Sequence, residues 1–99
     1  MDSPVTVSDV ESVQNQIKAK IVEGHSWRVE YPDPNDATDP KEYSVVNLYK
    51  DNEYQDEVKI LLREEDGVFE THEYMDRDIT NEFRTVQSVI DYVNRLVTE

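Results

Sequence analysis

Two β-rich runs joined by a turn occupy Glu57 to Tyr74, and that stretch restricts the fold more than any other part of the chain. Val58, Ile60 and Leu62 alternate with Lys59 and Arg63, the two-residue period of a strand with one dry face and one wet face. Glu64-Glu65-Asp66-Gly67 follows, and an Asp-Gly pair tolerates the positive φ angles of a tight turn. Val68-Phe69-Glu70-Thr71-His72-Glu73-Tyr74 then returns as the second strand. An isolated hairpin is marginal in water, so the other segments are read as extension or cover for this sheet.

Two segments have the pattern of a cover. Ser8-Asp9-Val10-Glu11 has the form of a capping box, which predicts a helix start there. Val10, Val13, Ile17 and Ile21 fall on an arc of about 80° at helical spacing, and Gly24 is the expected stop. Near the other end Thr85 is the expected N-cap of a second helix. There Val86, Val89, Ile90, Val93, Leu96 and Val97 share an arc of about 100°, with Asp91, Asn94 and Arg95 turned away.

The segments between add strands. Ser26 to Tyr31 alternates, with Trp27, Val29 and Tyr31 inward, until Pro32 ends the run. Residues 32–42 carry three prolines and no apolar pattern, so they read as a surface loop. Tyr43 to Lys50 is ambiguous: Tyr43, Val45 and Tyr49 alternate with Val46 and Leu48, so neither face is polar and the strand is expected at the centre of the sheet. Asp51-Asn52 is a turn pair. Residues 75–84 read as a connection with room for a short strand over 79–83. The expectation is one α+β domain over residues 1–99, with residues 1–7 frayed or packed back through Val5 and Val7. Its sheet is four-stranded and mainly antiparallel with two helices packed on one face, in the order α-β-β-β-β-α.

Composition then limits chemistry. There is no cysteine, which excludes disulfides, thiolate metal sites and cysteine nucleophiles. No apolar run approaches the ~20 residues that span a bilayer, so no membrane association is expected. Asp and Glu number 23 against 10 Lys and Arg, a net charge of −13 spread over loops and strands and not gathered in a tail. Such a coat repels itself at low ionic strength and is screened in concentrated salt. With five lysines, fourteen valines and no cysteine, this composition resembles that of cytoplasmic proteins of salt-accumulating halophilic archaea. The resemblance covers the whole chain without a motif; it implies a cytoplasmic location and loosely bound salt cations.

Two local resemblances point elsewhere. Thr85-Val86-Gln87-Ser88-Val89-Ile90-Asp91-Tyr92-Val93-Asn94 is similar to the last helix of acyl carrier proteins, but the Asp-Ser-Leu motif that would carry their phosphopantetheine does not occur. The helix-strand-helix order resembles the αβββα double-stranded-RNA-binding domain, which reads phosphates with lysines at the start of its second helix. Only Arg84 stands near that place, beside Glu82, Asp76 and Asp78, and a net charge of −13 offers no counterion release. Nucleic-acid binding is therefore disfavoured, while charge mimicry of a nucleic acid stays open.

The candidate sites are few. Asp33, Asn35, Asp36 and Asp39 gather oxygens in a loop, but Thr38 and Ser44 stand where an EF-hand loop needs glycine and glutamate, so a solvated acidic loop is expected. His25 beside Glu23 and Ser26, and His72 beside Glu70 and Glu73, are the two candidate acid–base groups, yet neighbours along a strand point to opposite faces and build no catalytic triad. Catalytic, cofactor-binding and metal-ligating residues are accordingly assigned to none, and the chain is expected not to be an enzyme. Six of nine aromatics are tyrosine, a side chain suited to half-wet contacts. Tyr43, Val45, Tyr49, Leu61 and Tyr74 are the expected partner face on the far side of the sheet, serving a homodimer or another protein.

Overall fold

The computed structural model describes residues 5–22, 27–36, 42–50, 57–74 and 78–98. Helix α1 (Val7–Lys20) leads to β1 (Trp27–Glu30), a single 3-10 turn (Pro34–Asp36), β2 (Glu42–Lys50), β3 (Glu57–Arg63), β4 (Phe69–Tyr74), β5 (Asp78–Phe83) and α2 (Val86–Thr98). The strands lie side by side in chain order, every neighbour antiparallel. The α+β class and the two helices stand as expected. The sheet has five strands instead of four and the order is α-β-β-β-β-β-α, because the connection before α2 contains a full strand. Ile79 is 42% exposed there, so the run lacks the buried apolar stripe by which a strand is recognised.

Helix α1 begins earlier than the Ser8 motif implies. The capping box is Thr6 with Asp9: Thr6 Oγ1 accepts from the Asp9 N–H at 3.2 Å, and Asp9 Oδ2 accepts from the Thr6 N–H at 2.9 Å. Val5, just before the cap, and Val10, at the fourth helical position, are both buried and form a hydrophobic staple. The Val5 N–H also donates to the Glu64 carbonyl at 2.9 Å, so the entry to the helix is tied to the β3–β4 turn. α1 ends at Lys20 with Ile21 extended; Gly24 lies outside the described residues, as does the Asp51-Asn52 pair. Thr85 caps α2 as expected, its hydroxyl accepting from the Ser88 N–H at 3.1 Å.

The β3–β4 turn closes with Gly67 at φ +68°, the left-handed conformation that glycine adopts without a Cβ penalty. The Arg63 N–H donates to the Val68 carbonyl at 3.0 Å across it, and the Arg63 carbonyl accepts from the Gly67 N–H at 3.1 Å. Val58, Ile60 and Leu62 point under the helices with Val46, Leu48 and Phe69 beside them, all at most 4% exposed. Val10 and Ile17 of α1 and Val89, Ile90, Val93 and Val97 of α2 close the layer.

Strand β2 resolves its ambiguity by a bulge between Ser44 and Val46. The extra residue, Val45, shifts the alternation by one, so Tyr43, Val46 and Leu48 pair with Leu62, Ile60 and Val58 on the covered face, while Ser44, Asn47 and Tyr49 face the other way. Gln14 of α1, 9% exposed, donates to the Val45 carbonyl at 3.1 Å and to the Pro32 carbonyl at 2.7 Å. A buried polar residue on the apolar side of α1 thus supplies donors to an irregular stretch of sheet and to the loop before it.

Both helices start at the end of the sheet that bears the β3–β4 turn and run the same way. They are tied together further along by Asn94, whose side chain accepts from the Val22 N–H at 2.9 Å and donates to the Lys20 carbonyl at 3.2 Å. No described helix lies against the opposite face of the sheet.

Candidate functional site

Antiparallel register places paired residues on the same face, so the uncovered side can be read row by row. One row runs Arg28, Tyr49, Glu57, Tyr74; the next Glu30, Asn47, Lys59, His72, Thr80; a third Ser44, Leu61, Glu70, Glu82. Of the five expected face residues, Tyr49, Leu61 and Tyr74 lie here, with Tyr74 39% exposed and the other two half-buried. Tyr43 and Val45 do not. The bulge puts Tyr43 opposite Leu62 on the covered face, where it packs against the core, and leaves Val45 fully buried.

Charge dominates one end of this face. Arg63 meets Asp66 through two bonds, Nε to Oδ1 at 3.1 Å and Nη2 to Oδ2 at 2.9 Å. Its Nη1 lies 3.0 Å from both Glu70 Oε1 and Glu82 Oε2. The bond to Asp66 raises the guanidinium further, and the same bond first of all holds the Asp66 carboxyl below the usual range. One cation therefore clamps three carboxylates from the turn, β4 and β5.

Glu70 links this clamp to His72. Its Oε2 lies 3.4 Å from His72 Nε2, and His72 Nδ1 lies 3.3 Å from Thr80 Oγ1. The imidazole stacks on Tyr74 with ring centroids 6.3 Å apart. Chemically this is a charged and aromatic strip along β4: the imidazole is oriented from both nitrogens, and its acid partner is already shared with Arg63. At the other end, the Arg28 guanidinium sits 5.3 Å from the Tyr49 ring centroid. Burial raises the Tyr49 phenol above its ordinary range, with the charges of Glu30 and Glu57 adding to it.

The Arg63–Glu70–His72 strip was missed from composition and motif alone, yet a signal existed. Glu70, His72 and Tyr74 recur at a period of two, and a hairpin closing on Arg63 and Val68 sets Leu61 opposite Glu70 and Lys59 opposite His72. In the acidic loop, Asp33 Oδ1 accepts from the Asn35 N–H at 2.9 Å and its side-chain amide at 3.1 Å, so that oxygen serves the 3-10 turn. Thr38, Asp39, Glu23, His25 and Ser26 lie outside the described residues. Among the described residues no group of three or more His, Asp or Glu is placed to hold a metal ion, and no helix is long and apolar enough to cross a membrane. No protein-family model, no curated protein and no solved structure matches the chain.

Proposed function

We propose that this chain is a non-enzymatic binding protein of a salt-rich cytoplasm that engages a protein partner through the uncovered face of its sheet. The observation that carries the reading is the segregation of the two layers: both helices occupy one face, and the other carries Tyr49, Leu61 and Tyr74 inside a band of ordered charge. The partner this face suits is a protein surface that sets apolar groups among basic ones. Glu30, Glu57, Glu70 and Glu82 outnumber the cations Arg28, Lys59 and Arg63 on it, and half-exposed tyrosines accept both apolar and cationic neighbours.

The net charge of −13 favours a second reading, an acidic protein that mimics nucleic acid before a basic partner. Capture of partners on the immobilised chain, in millimolar and in molar salt, separates the two. Binding through the tyrosine face survives molar salt and is lost in the Tyr49→Ser/Tyr74→Ser double variant. Binding that vanishes in molar salt and ignores the double variant belongs to charge mimicry. A chain that retains nothing at either salt concentration sinks both readings.

A further inference from the structure

The uncovered face is not the only unfinished surface, since an antiparallel sheet in chain order also leaves its first and last strands as edges. β1 is a four-residue edge with Arg28 and Glu30 exposed. β5 is longer, six residues, contains no proline or lysine, and exposes Ile79 at 42% on the helix-bearing side of the sheet. Among the described residues β5 pairs only with β4.

Beside β5, on that same side, lies a hollow of about 230 Å³ lined by Phe83, Ser88, Asp91, Tyr92 and Arg95. The Phe83 and Tyr92 rings, 5.4 Å apart and tilted by 45°, form its apolar part. Its polar rim has opposite charges one helical turn apart, Asp91 and Arg95. The molecule therefore carries, four residues apart on one strand, an exposed aliphatic side chain and an apolar hollow.

We propose that β5 is a self-association edge: a second copy of this chain pairs its β5 antiparallel to this one about a two-fold axis at Asn81, joining two five-stranded sheets into one. Two-fold pairing of identical antiparallel strands keeps both helix layers on the same side, so some residue of the strand must face its own copy. A centre at Glu82 would set two carboxylates side by side. A centre at Thr80 would set Ile79 against Asn81 and leave the hollow empty. A centre at Asn81 sets Ile79 against Phe83 of the second copy, twice, and pairs Thr80 with Glu82. The same axis runs the two α2 helices antiparallel, which turns each Asp91 towards Arg95 of the second copy. Hydrophobic fit, backbone pairing and charge order select the one register. The uncovered faces of the two copies then form one continuous surface, but the pairing uses none of Tyr49, Leu61 or Tyr74 and stands apart from the binding role proposed for them.

The absence of native cysteine makes the register directly readable. Single variants Asn81→Cys, Thr80→Cys and Glu82→Cys are oxidised in molar salt, where repulsion between two acidic copies is screened. The expected result is a covalent dimer from Asn81→Cys alone, since the other two positions lie more than about 7 Å from their own copies in this register and cannot bridge. Light scattering of the unmodified chain gives twice the monomer mass, and Ile79→Lys, a change at an exposed side chain, halves it without altering the circular dichroism spectrum. Cross-linking through Thr80→Cys or Glu82→Cys, a monomeric mass for the unmodified chain at all concentrations, or a dimer that survives Ile79→Lys would each overturn the proposal. Partner capture by Ile79→Lys tests the tyrosine face separately, because that face is unchanged in it.

Discussion

Tyr92 is a residue whose environment sets a measurable pH response. Its ring packs against Phe83 beneath the edge of α2, and its hydroxyl is buried beside that of Thr71. Glu73 and Thr71 are close enough to act on the phenol electrostatically, but neither hydroxyl has a partner in hydrogen-bonding geometry. Burial first, then the charge of Glu73, pushes the Tyr92 phenol far above its ordinary range. The unfolded chain releases that proton near pH ~10. Below that pH both states hold the proton and the stabilisation is complete; as pH rises further the unfolded state ionises first, so stability falls until the folded phenol titrates as well. Tyr92→Phe should remove this loss and, because the hydroxyl has no partner, leave neutral-pH stability unchanged or raised by about 1 kcal/mol. Urea unfolding at intervals across pH ~9 to ~11 reads both effects; Tyr49, with its smaller upward shift, leaves a residual slope. Equal alkaline slopes in the variant and the parent would show that Tyr92 ionises as freely folded as unfolded.

Among the elements, the join between α1 and β2 shows how a helix can stabilise an irregular strand. The bulge at Val45 leaves a carbonyl without a regular ladder partner, and Pro32, which has no N–H of its own, ends the strand before it. Gln14 donates to both carbonyls from one amide. Gln14→Leu keeps the volume and strands two oxygens, so it should cost about 2 kcal/mol or more in denaturant unfolding. Gln16→Leu on the exposed side of the same helix, where the amide bonds only Ser12, should stay within about 0.5 kcal/mol. Similar losses for the two would mean that the amide at Gln14 is not what supports the bulge. The same logic explains the misplaced helix start. A Ser-x-x-Glu pattern is a sound capping signal in isolation, but Val5, buried and bonded to Glu64, pulls the first turn back to Thr6.

At the scale of the molecule, charge and layering act together. A net charge of −13 sits on a two-layer domain whose described ion pairs centre on Arg63. With 23 acidic side chains against 10 basic ones, carboxylates outnumber the cations that could pair with them, and their mutual repulsion reaches ~30 Å at 0.01 M salt but only ~3 Å at 1 M. The thermal midpoint followed by circular dichroism should fall steadily as salt is lowered from molar to millimolar. A midpoint indifferent to salt would overturn the proposal of a salt-rich cytoplasm for this chain.

The local patterns were sufficient for both helices, the β3–β4 hairpin, the Thr85 cap and the α+β class, because each rests on groups a few residues apart, either side chains that share one dry face or, at Thr85, a hydroxyl that reaches the N–H three residues on. They also placed Tyr49, Leu61 and Tyr74 on the uncovered side. What the periodicities could not carry was any feature fixed by contacts across the sheet. The bulge that turns Tyr43 inward is specified by pairing with β3 and by an amide from α1. The short strand allowed for over 79–83 is present as β5, Asp78–Phe83, but the sequence does not mark it as a full fifth member of the sheet, because an edge strand at the margin of the helix layer buries little and so shows only a weak apolar alternation. The hairpin from Glu57 to Tyr74 was legible at once; that its charged face is clamped by one arginine, and that among the described residues the sheet beyond it ends at β5, was decided by which strands came to lie beside it.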